Sequence, residues 1–264
     1  MRLDKLLVHK ELFSSRERAQ DAITQKTVSV NGVIIDKPAK DTDEAAVIEI
    51  IDIFNKYVSR GGLKLEKAIA DFGLDFNGKT VLDIGASTGG FTDCALQHGA
   101  SRVVAVDVGT QQLHLSLLGH EKVQSIENKD FRELKQEDIE PQQFDFLVSD
   151  VSFISLTCLF PFFAPFLKEK SQLILLIKPQ FEAGTTFLSK NGIVNDEKGY
   201  KIAIQKVKQE AINWGFYLNA LTISTLFEKN KNIEFLACFS KQNNNFTFQY
   251  PELFQAIKQL KKAL

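Results

Sequence analysis

One stretch restricts the fold of this chain more than any other: Lys79-Thr-Val-Leu-Asp-Ile-Gly-Ala-Ser-Thr-Gly-Gly-Phe-Thr-Asp93. Thr80–Ile84 is a short apolar run that closes on an acid, Asp83. A glycine-rich turn with Gly85, Gly89 and Gly90 follows, and a helix is predicted from Phe91 onward. Strand, glycine turn and helix is the opening unit of a nucleotide-type α/β fold. Glycines let backbone approach a ligand closely, and the helix N-terminus favours the ligand's negative groups.

The flanking pattern extends that unit. Strands are predicted at Thr80–Ile84, Arg102–Asp107, Val123–Glu127, Phe144–Ser149, Leu173–Ile177, Tyr217–Ser224 and Ile233–Phe239. Helices are predicted at Leu63–Ala70, Phe91–His98, Leu113–Leu118 and Lys198–Trp214, with Leu156–Leu167 apolar and partly helical. Such alternation implies a mainly parallel sheet covered on both faces. The last two strands are joined only by Leu226–Asn232, which suits an antiparallel hairpin. The expected architecture is a Rossmann-like α/β fold: seven strands, mainly parallel, ending in that hairpin. Pro251–Leu264 is expected as a basic surface helix.

Residues 1–54 read as a separate small α+β module, 55–62 as a linker containing Ser59-Arg-Gly-Gly62, and 63–264 as the large domain. In the module, Leu3, Leu6 and Leu7 share one helical face, and Ser14 or Ser15 is placed to cap a second helix reaching Ile23. Thr27–Val30 alternates into Asn31-Gly32, a hairpin signal, and Val47–Ile53 is one more candidate strand. Arg2, Lys5, Lys10, Arg16, Arg18 and Lys26 outnumber the acids of the two helices, a basic face suited to RNA. Arg60, in the linker, joins Arg2, Lys5, Arg16 and Arg18 as a candidate RNA contact.

Bulk properties exclude several classes. The net charge of −1 gives no global attraction to nucleic acid or membrane, so any basic surface is local. The longest apolar segment, Leu156–Leu167, contains two prolines and is too short to span a bilayer; no signal peptide is visible at the charged N-terminus. Cys94, Cys158 and Cys238 show no metal or disulfide spacing, so a reducing cytoplasm and no metal are expected.

The NAD fingerprint needs Gly-x-Gly-x-x-Gly, but Ala86 and Ser87 follow Gly85, giving Gly-x-x-x-Gly-Gly. Asp107 ends the second strand, where an acid accepts both ribose hydroxyls. Asp130 follows the third, where a carboxylate accepts from an adenine amino group. A ligand with ribose and adenine, no pyrophosphate, and an ammonium and sulfonium near carboxylates matches this pattern: S-adenosylmethionine. The candidate cofactor residues from this pattern are Asp83, Gly85, Ser87, Gly89, Gly90, Asp107 and Asp130.

Four charged residues lie where this topology brings them together. Lys64 precedes the first sheet strand, Asp150 ends the fourth, Lys178 ends the fifth and Glu234 lies on the last. Lys178, between the apolar Leu173–Ile177 and Pro179, is expected to be partly desolvated and to act as a proton acceptor for an attacking hydroxyl. Each of the four, taken singly, reads first as a strand-end charge or salt bridge. Asp150-Val-Ser-Phe153 lacks the two prolines that enzymes acting on a base amine place here, which leaves a ribose hydroxyl as acceptor. Ala183–Glu197 reads as a mobile loop over the acceptor pocket, with Phe153, Phe181 or Phe187 available to stack on a flipped base.

Several segments resemble one family. Arg2–Leu7, Ser15–Gln20 and Val28–Gly32 resemble an S4-like RNA-binding module. Tyr57–Leu65, Val81–Asp93, Ser149–Ser155 and Ile177–Glu182 resemble the FtsJ-like methyltransferase domain of the TlyA family. The resemblance implies S-adenosylmethionine-dependent 2′-O-methylation of cytidine in ribosomal RNA. It also implies a catalytic tetrad of Lys64, Asp150, Lys178 and Glu234, with cofactor positions at Gly89, Phe91, Asp107, Asp130 and Asp150. Some members carry a longer N-terminal extension and modify both subunits; this chain starts at the module's first helix, so large-subunit (23S) RNA is the expected substrate ahead of 16S. The expected partner is ribosomal RNA or a subunit, met by a monomer without DNA binding or membrane insertion. The alternatives are a membrane-active haemolysin, a name that relatives carry, a non-catalytic RNA-binding assembly factor, and a Rossmann oxidoreductase.

Overall fold

The computed structural model describes residues 1–10, 12–13, 16–24, 27–50, 56–194, 196–224 and 231–262. It divides into two compact units, Met1–Asn55 and Lys56–Leu264.

The first unit holds α1 (Leu3–His9), α2 (Arg16–Thr24), β1 (Val28–Val30), β2 (Val33–Ile34) and β3 (Ile48–Ile50). The strands form an antiparallel sheet in the order β2-β1-β3. Asn31 and Gly32, at φ 51° and 76°, supply the two left-handed residues that a tight hairpin requires. Leu3, Leu7, Ala19, Ile23, Val28, Val30 and Ile35 close its core. The expected caps Ser14 and Ser15, and the expected continuation of β3 through Ile51–Ile53, lie outside the described residues.

The second unit runs α3 (Gly61–Phe72), β4 (Thr80–Ile84), α4 (Gly90–Gln97), β5 (Arg102–Val106), α5 (Leu115–Leu118), β6 (Val123–Ile126), β7 (Phe144–Ser149), α6 (Phe160–Phe163), β8 (Leu167–Ile177), α7 (Pro179–Glu182), α8 (Glu197–Asn213), β9 (Tyr217–Ile223), β10 (Phe235–Ser240) and α9 (Tyr250–Lys262). Its seven strands follow the order β6-β5-β4-β7-β8-β10-β9. β4, β5, β6, β7 and β8 pair in parallel, while β10 is antiparallel to both β8 and β9. The mainly parallel sheet with a terminal antiparallel hairpin is therefore present.

Period-2 alternation explains the two-sided core. Val81, Val103, Val148, Ile174 and Leu176 point to one face, with Leu65, Ala68, Phe91 and Ala95 of α3 and α4. Leu82, Val104, Leu147, Leu173 and Leu175 point to the other, with Phe160, Phe163, Ala203, Ile204 and Val207 of α6 and α8. Each fully buried aliphatic side chain contributes about 2 kcal/mol.

Four expectations need correction. Residues 56–62 are not a free linker. Tyr57 is buried, and an added Cβ at Gly62 would lie 2.3 Å from its ring, so this segment is packed into the second unit. β8 starts at Leu167 rather than Leu173, because Ser171 turns its hydroxyl onto Phe144 O (2.5 Å) and the ladder with β7 continues past an irregularity there. The segment 183–194 makes defined contacts: Leu188 bridges Val194, whose N–H donates to Asn232 Oδ1 (2.8 Å) and whose carbonyl accepts from Tyr200 Oη (2.6 Å). The terminal helix α9 is not purely a surface helix, since Ile257 is buried in the larger core.

Candidate active site

The four charged residues converge. Lys178 Nζ lies 2.7 Å from Asp150 Oδ1, Lys64 Nζ lies 2.9 Å from Asp150 Oδ2, and Lys64 Nζ lies 2.9 Å from Glu234 Oε2. The result is a chain, Lys178–Asp150–Lys64–Glu234, with one lysine nitrogen at each oxygen of Asp150. The Lys178 contact is an ion pair off the hydrogen-bond direction, since Asp150 Oδ1 has no directed donor.

Local structure explains each position. Lys64 is in the first turn of α3. Asp150 and Lys178 directly follow β7 and β8, parallel neighbours that end at the same edge. Pro179 opens α7 and keeps Lys178 extended at φ −106°, ψ 102°. Glu234 is not on the last strand, as expected, but immediately precedes β10; its carbonyl accepts from Ser224 N at 2.9 Å. Burial pulls the Lys64 ammonium down, yet Asp150 and Glu234 outweigh it, so its pKa is raised.

Lys178 is 7% exposed, and its Nζ also donates to Ser152 Oγ at 2.6 Å and to Asp150 O at 3.5 Å. The loop carrying Ser152 is held at its far end by Glu182, a buried acid that accepts from Ser155 Oγ (2.5 Å) and Leu156 N (2.7 Å). Neither Ser152 nor Glu182 is marked by sequence reasoning; the only signal for them is their place inside the Ser149–Ser155 and Ile177–Glu182 motifs.

The crevice beside this cluster is built from loops after β4, β5, β6 and β7. Each holds one non-glycine residue in the left-handed region: Ser87 (φ 49°), Gln111 (53°), Asn128 (53°) and Phe153 (66°). Strained backbone of this kind persists only where its surroundings over-determine it. Ser87 N donates to Asp107 Oδ2 (2.8 Å), Gly109 N to Asp107 Oδ1 (2.7 Å), and Glu127 accepts from Gln111 N (2.6 Å) and Gln112 N (3.1 Å). Asp107 and Glu127 thus shape the loops and keep lone pairs for a ligand. Glu127 is a further residue that the sequence alone leaves unmarked.

The glycines also serve the packing of the protein itself. An added Cβ at Gly85 would lie 2.9 Å from Val151, at Gly89 2.4 Å from Leu117, and at Gly90 2.3 Å from Ser59. They let protein segments close on one another, and Gly85 and Gly89 also adopt φ 77° and 94°. Phe91 is buried behind the turn, in the face shared with α3. Both oxygens of Asp130 accept from Arg132, with contacts of 2.5–3.1 Å, which holds its carboxyl below the usual range.

Asp83 is buried and accepts from Thr92 Oγ1 at 2.7 Å. Burial, reinforced by repulsion from Asp150 and Asp107, pushes its pKa up to about 7. Carboxylates crowded enough to repel one another fit a ligand that brings positive charge, as the ammonium and sulfonium of S-adenosylmethionine do.

In the first unit, Asp4 is fully buried and accepts from Arg2 Nε and Nη2 (3.0 and 2.9 Å), Arg16 Nε (2.9 Å) and Gln20 Nε2 (2.6 Å). The Arg2 bond leads in holding this carboxyl well below the usual range. Arg2 and Arg16 are therefore structural as well as candidate RNA contacts, Lys5 is exposed, and Arg18 lies on α2. Arg60 directly precedes α3, half-buried. Among the described residues no helix is long and apolar enough to cross a membrane.

Comparison with known proteins agrees with this geometry. Residues 57–241 match the model of the FtsJ-like methyltransferase, and residues 1–48 that of the S4 domain. Hemolysin A of Brachyspira hyodysenteriae is 43% identical, covering 90% of this chain and 99% of its own length. The 16S/23S rRNA (cytidine-2′-O)-methyltransferase TlyA of Mycobacterium tuberculosis is 34% identical, covering 92% of this chain and 91% of its own. A solved Streptococcus thermophilus structure carrying a provisional haemolysin name is 39% identical, covers 100% of this chain and 98% of its own, and superimposes with a TM-score of 0.80.

Proposed function

The chain belongs to the TlyA family of FtsJ-like methyltransferases, and on that premise we propose that it methylates the 2′-hydroxyl of a cytidine in ribosomal RNA, with large-subunit RNA the first substrate to test. The observation that carries the reading is the Lys178–Asp150–Lys64–Glu234 chain at the edge of the acidic crevice.

S-adenosylmethionine, when bound, supplies a methyl carbon made electrophilic by its sulfonium. Asp107 would hold hydroxyls of its ribose, and Asp83 and Asp150 would balance its positive charge. The left-handed loop at Ser87 and the Gly85–Gly90 turn shape the floor of the crevice. Lys178 receives the proton of the attacking 2′-hydroxyl at Nζ. Asp150 orients Lys178, while Lys64, kept charged between two carboxylates, fixes Asp150 in turn. Positioning of hydroxyl and methyl carbon supplies much of the acceleration.

Phe153 is 92% exposed on a left-handed backbone, 5.6 Å from the Phe181 ring between centroids. A bulky apolar ring held out in this way beside Lys178 suits stacking on an unstacked base. The basic residues of the first unit, Lys5 and Arg18 with the outer edges of Arg2 and Arg16, suit the RNA backbone, as does Arg60 of the second. We take the protein to act as a cytoplasmic monomer.

The test is methylation of purified ribosomal subunits by the full chain with labelled S-adenosylmethionine, followed by mapping of 2′-O-methyl sites. The expected outcome is one new cytidine site in large-subunit RNA. No incorporation into either subunit or its free RNA refutes the proposal.

A further inference from the structure

Lys178 is buried, yet a proton acceptor that turns over must return its proton to water. Its Nζ has three acceptors within reach: Asp150 Oδ1 at 2.7 Å, Asp150 O at 3.5 Å and Ser152 Oγ at 2.6 Å. Of the two Asp150 contacts, one is a backbone carbonyl, which has no proton to pass on, and the other is a carboxylate whose second oxygen is bound by Lys64, itself bound to Glu234. Ser152 leads outward, since it is an exposed residue. A hydroxyl both accepts and donates, so it can take a proton from one side while giving its own to the other.

The hydroxyl is placed, not adventitious. Its loop is anchored before it by Asp150 and after it by Glu182, which binds Ser155 and the Leu156 N–H. Val151 packs where a Cβ at Gly85 would stand, and Phe153 holds φ 66°. A surface serine at 2.6 Å from a buried lysine, between two such constraints, needs a reason beyond solubility.

We propose that Ser152 is a positioning and relay residue, whose hydroxyl holds Lys178 in place and carries its proton to solvent. This rests on the 2′-O-methylation reading above. The balance is simple. The Lys178 amine takes the 2′-hydroxyl proton and becomes an ammonium. The ammonium passes one proton to Ser152 Oγ as the serine's own proton leaves to water. Lysine ends as the amine and serine as the neutral hydroxyl.

The experiment uses the full chain with Ser152→Ala and Ser152→Thr. Single-turnover methyl transfer to ribosomal subunits is followed at saturating S-adenosylmethionine in H2O/D2O mixtures, alongside cofactor and RNA affinities. S152A is expected to lower the transfer rate roughly tenfold, less than the ~10²–10⁴-fold of a direct proton-transfer group because water can partly replace the hydroxyl. Both affinities stay unchanged, S152T returns to within about twofold of the parent rate, and the curved proton inventory of the parent becomes linear in S152A. S152A at the parent rate overturns the inference, as does S152T as slow as S152A, or loss of cofactor affinity in S152A. A parent protein that transfers no methyl group to RNA sinks the functional reading itself, whereas an active parent with an unaffected S152A sinks this inference alone.

Discussion

Asp83→Asn tests whether the crevice stores electrostatic strain. Asp83 is fully buried, and its pKa stands at about 7 against an ordinary value of 3.8. The folded chain therefore keeps a proton that the unfolded chain has released, so stability is fully present below about pH 4 and declines as pH rises toward 7. Integrating between pH 5 and pH 8, this one group removes about 2.5 kcal/mol. Asparagine keeps an oxygen for the Thr92 hydroxyl but cannot ionise. Any cost of its amide group is independent of pH and cancels in the comparison. Urea unfolding followed by the single tryptophan, Trp214, at both pH values gives the two slopes. D83N should lose about 2.5 kcal/mol less than the parent between pH 5 and pH 8. It should also bind S-adenosylmethionine more weakly at pH 8, where the parent offers a carboxylate. Parallel stability profiles for parent and variant refute the argument, because they would mean that Asp83 titrates alike folded and unfolded.

Lys178→Ala is expected to lower methyl transfer by about 10²–10⁴-fold while cofactor affinity, measured by calorimetry, survives; equal loss of both would make Lys178 structural. Phe153→Ala should leave the melting temperature unchanged, since the ring is exposed, and weaken productive RNA engagement by about 1–3 kcal/mol in kcat/KM, with unchanged kcat/KM ruling out stacking. Lys5→Glu should reduce RNA affinity and flatten its salt dependence without affecting cofactor affinity, and an unaltered salt slope removes the first unit from the RNA contact. Asp4→Ala leaves Arg2, Arg16 and Gln20 without their shared acceptor, so the first unit should become trypsin-sensitive while the second stays resistant; equal resistance would show that the buried carboxylate is dispensable.

The sequence carried the sheet because alternation and glycine punctuation survive in one dimension. Leu173–Ile177 is an uninterrupted apolar run, Thr80–Ile84 is one broken only by Asp83, and the short link before Ile233 suits a reversal. The tetrad residues were legible as charges at strand ends. Their pairing was not, since whether Asp150 bridges Lys64 and Lys178 depends on side-chain reach across strands. A second demand on the glycines was not legible: Gly90 excludes a Cβ because Ser59 and Gly62 pack there, a contact between segments 28 residues or more apart. Asp130 was legible as an acid after a strand, but its capture by Arg132 depends on a local turn. Ser152 and Glu182 carry no pattern of their own and acquire meaning only from what lies beside them.

The reversed β10 has a consequence for how such a site can arise. Residues at the crevice edge normally come from the ends of parallel strands, but Glu234 comes from the beginning of one. Were β10 parallel to β8, the six residues Phe235–Ser240 would carry Glu234 to the opposite edge, about 20 Å from Lys64. A doubly wound sheet that ends in a parallel strand cannot place an acid there without borrowing it from a different loop. The fourth charge of this cluster is thus inherited from topology. A redesigned crossover that kept every residue but ran that strand parallel to β8 would retain the crevice and lose the counter-charge of Lys64.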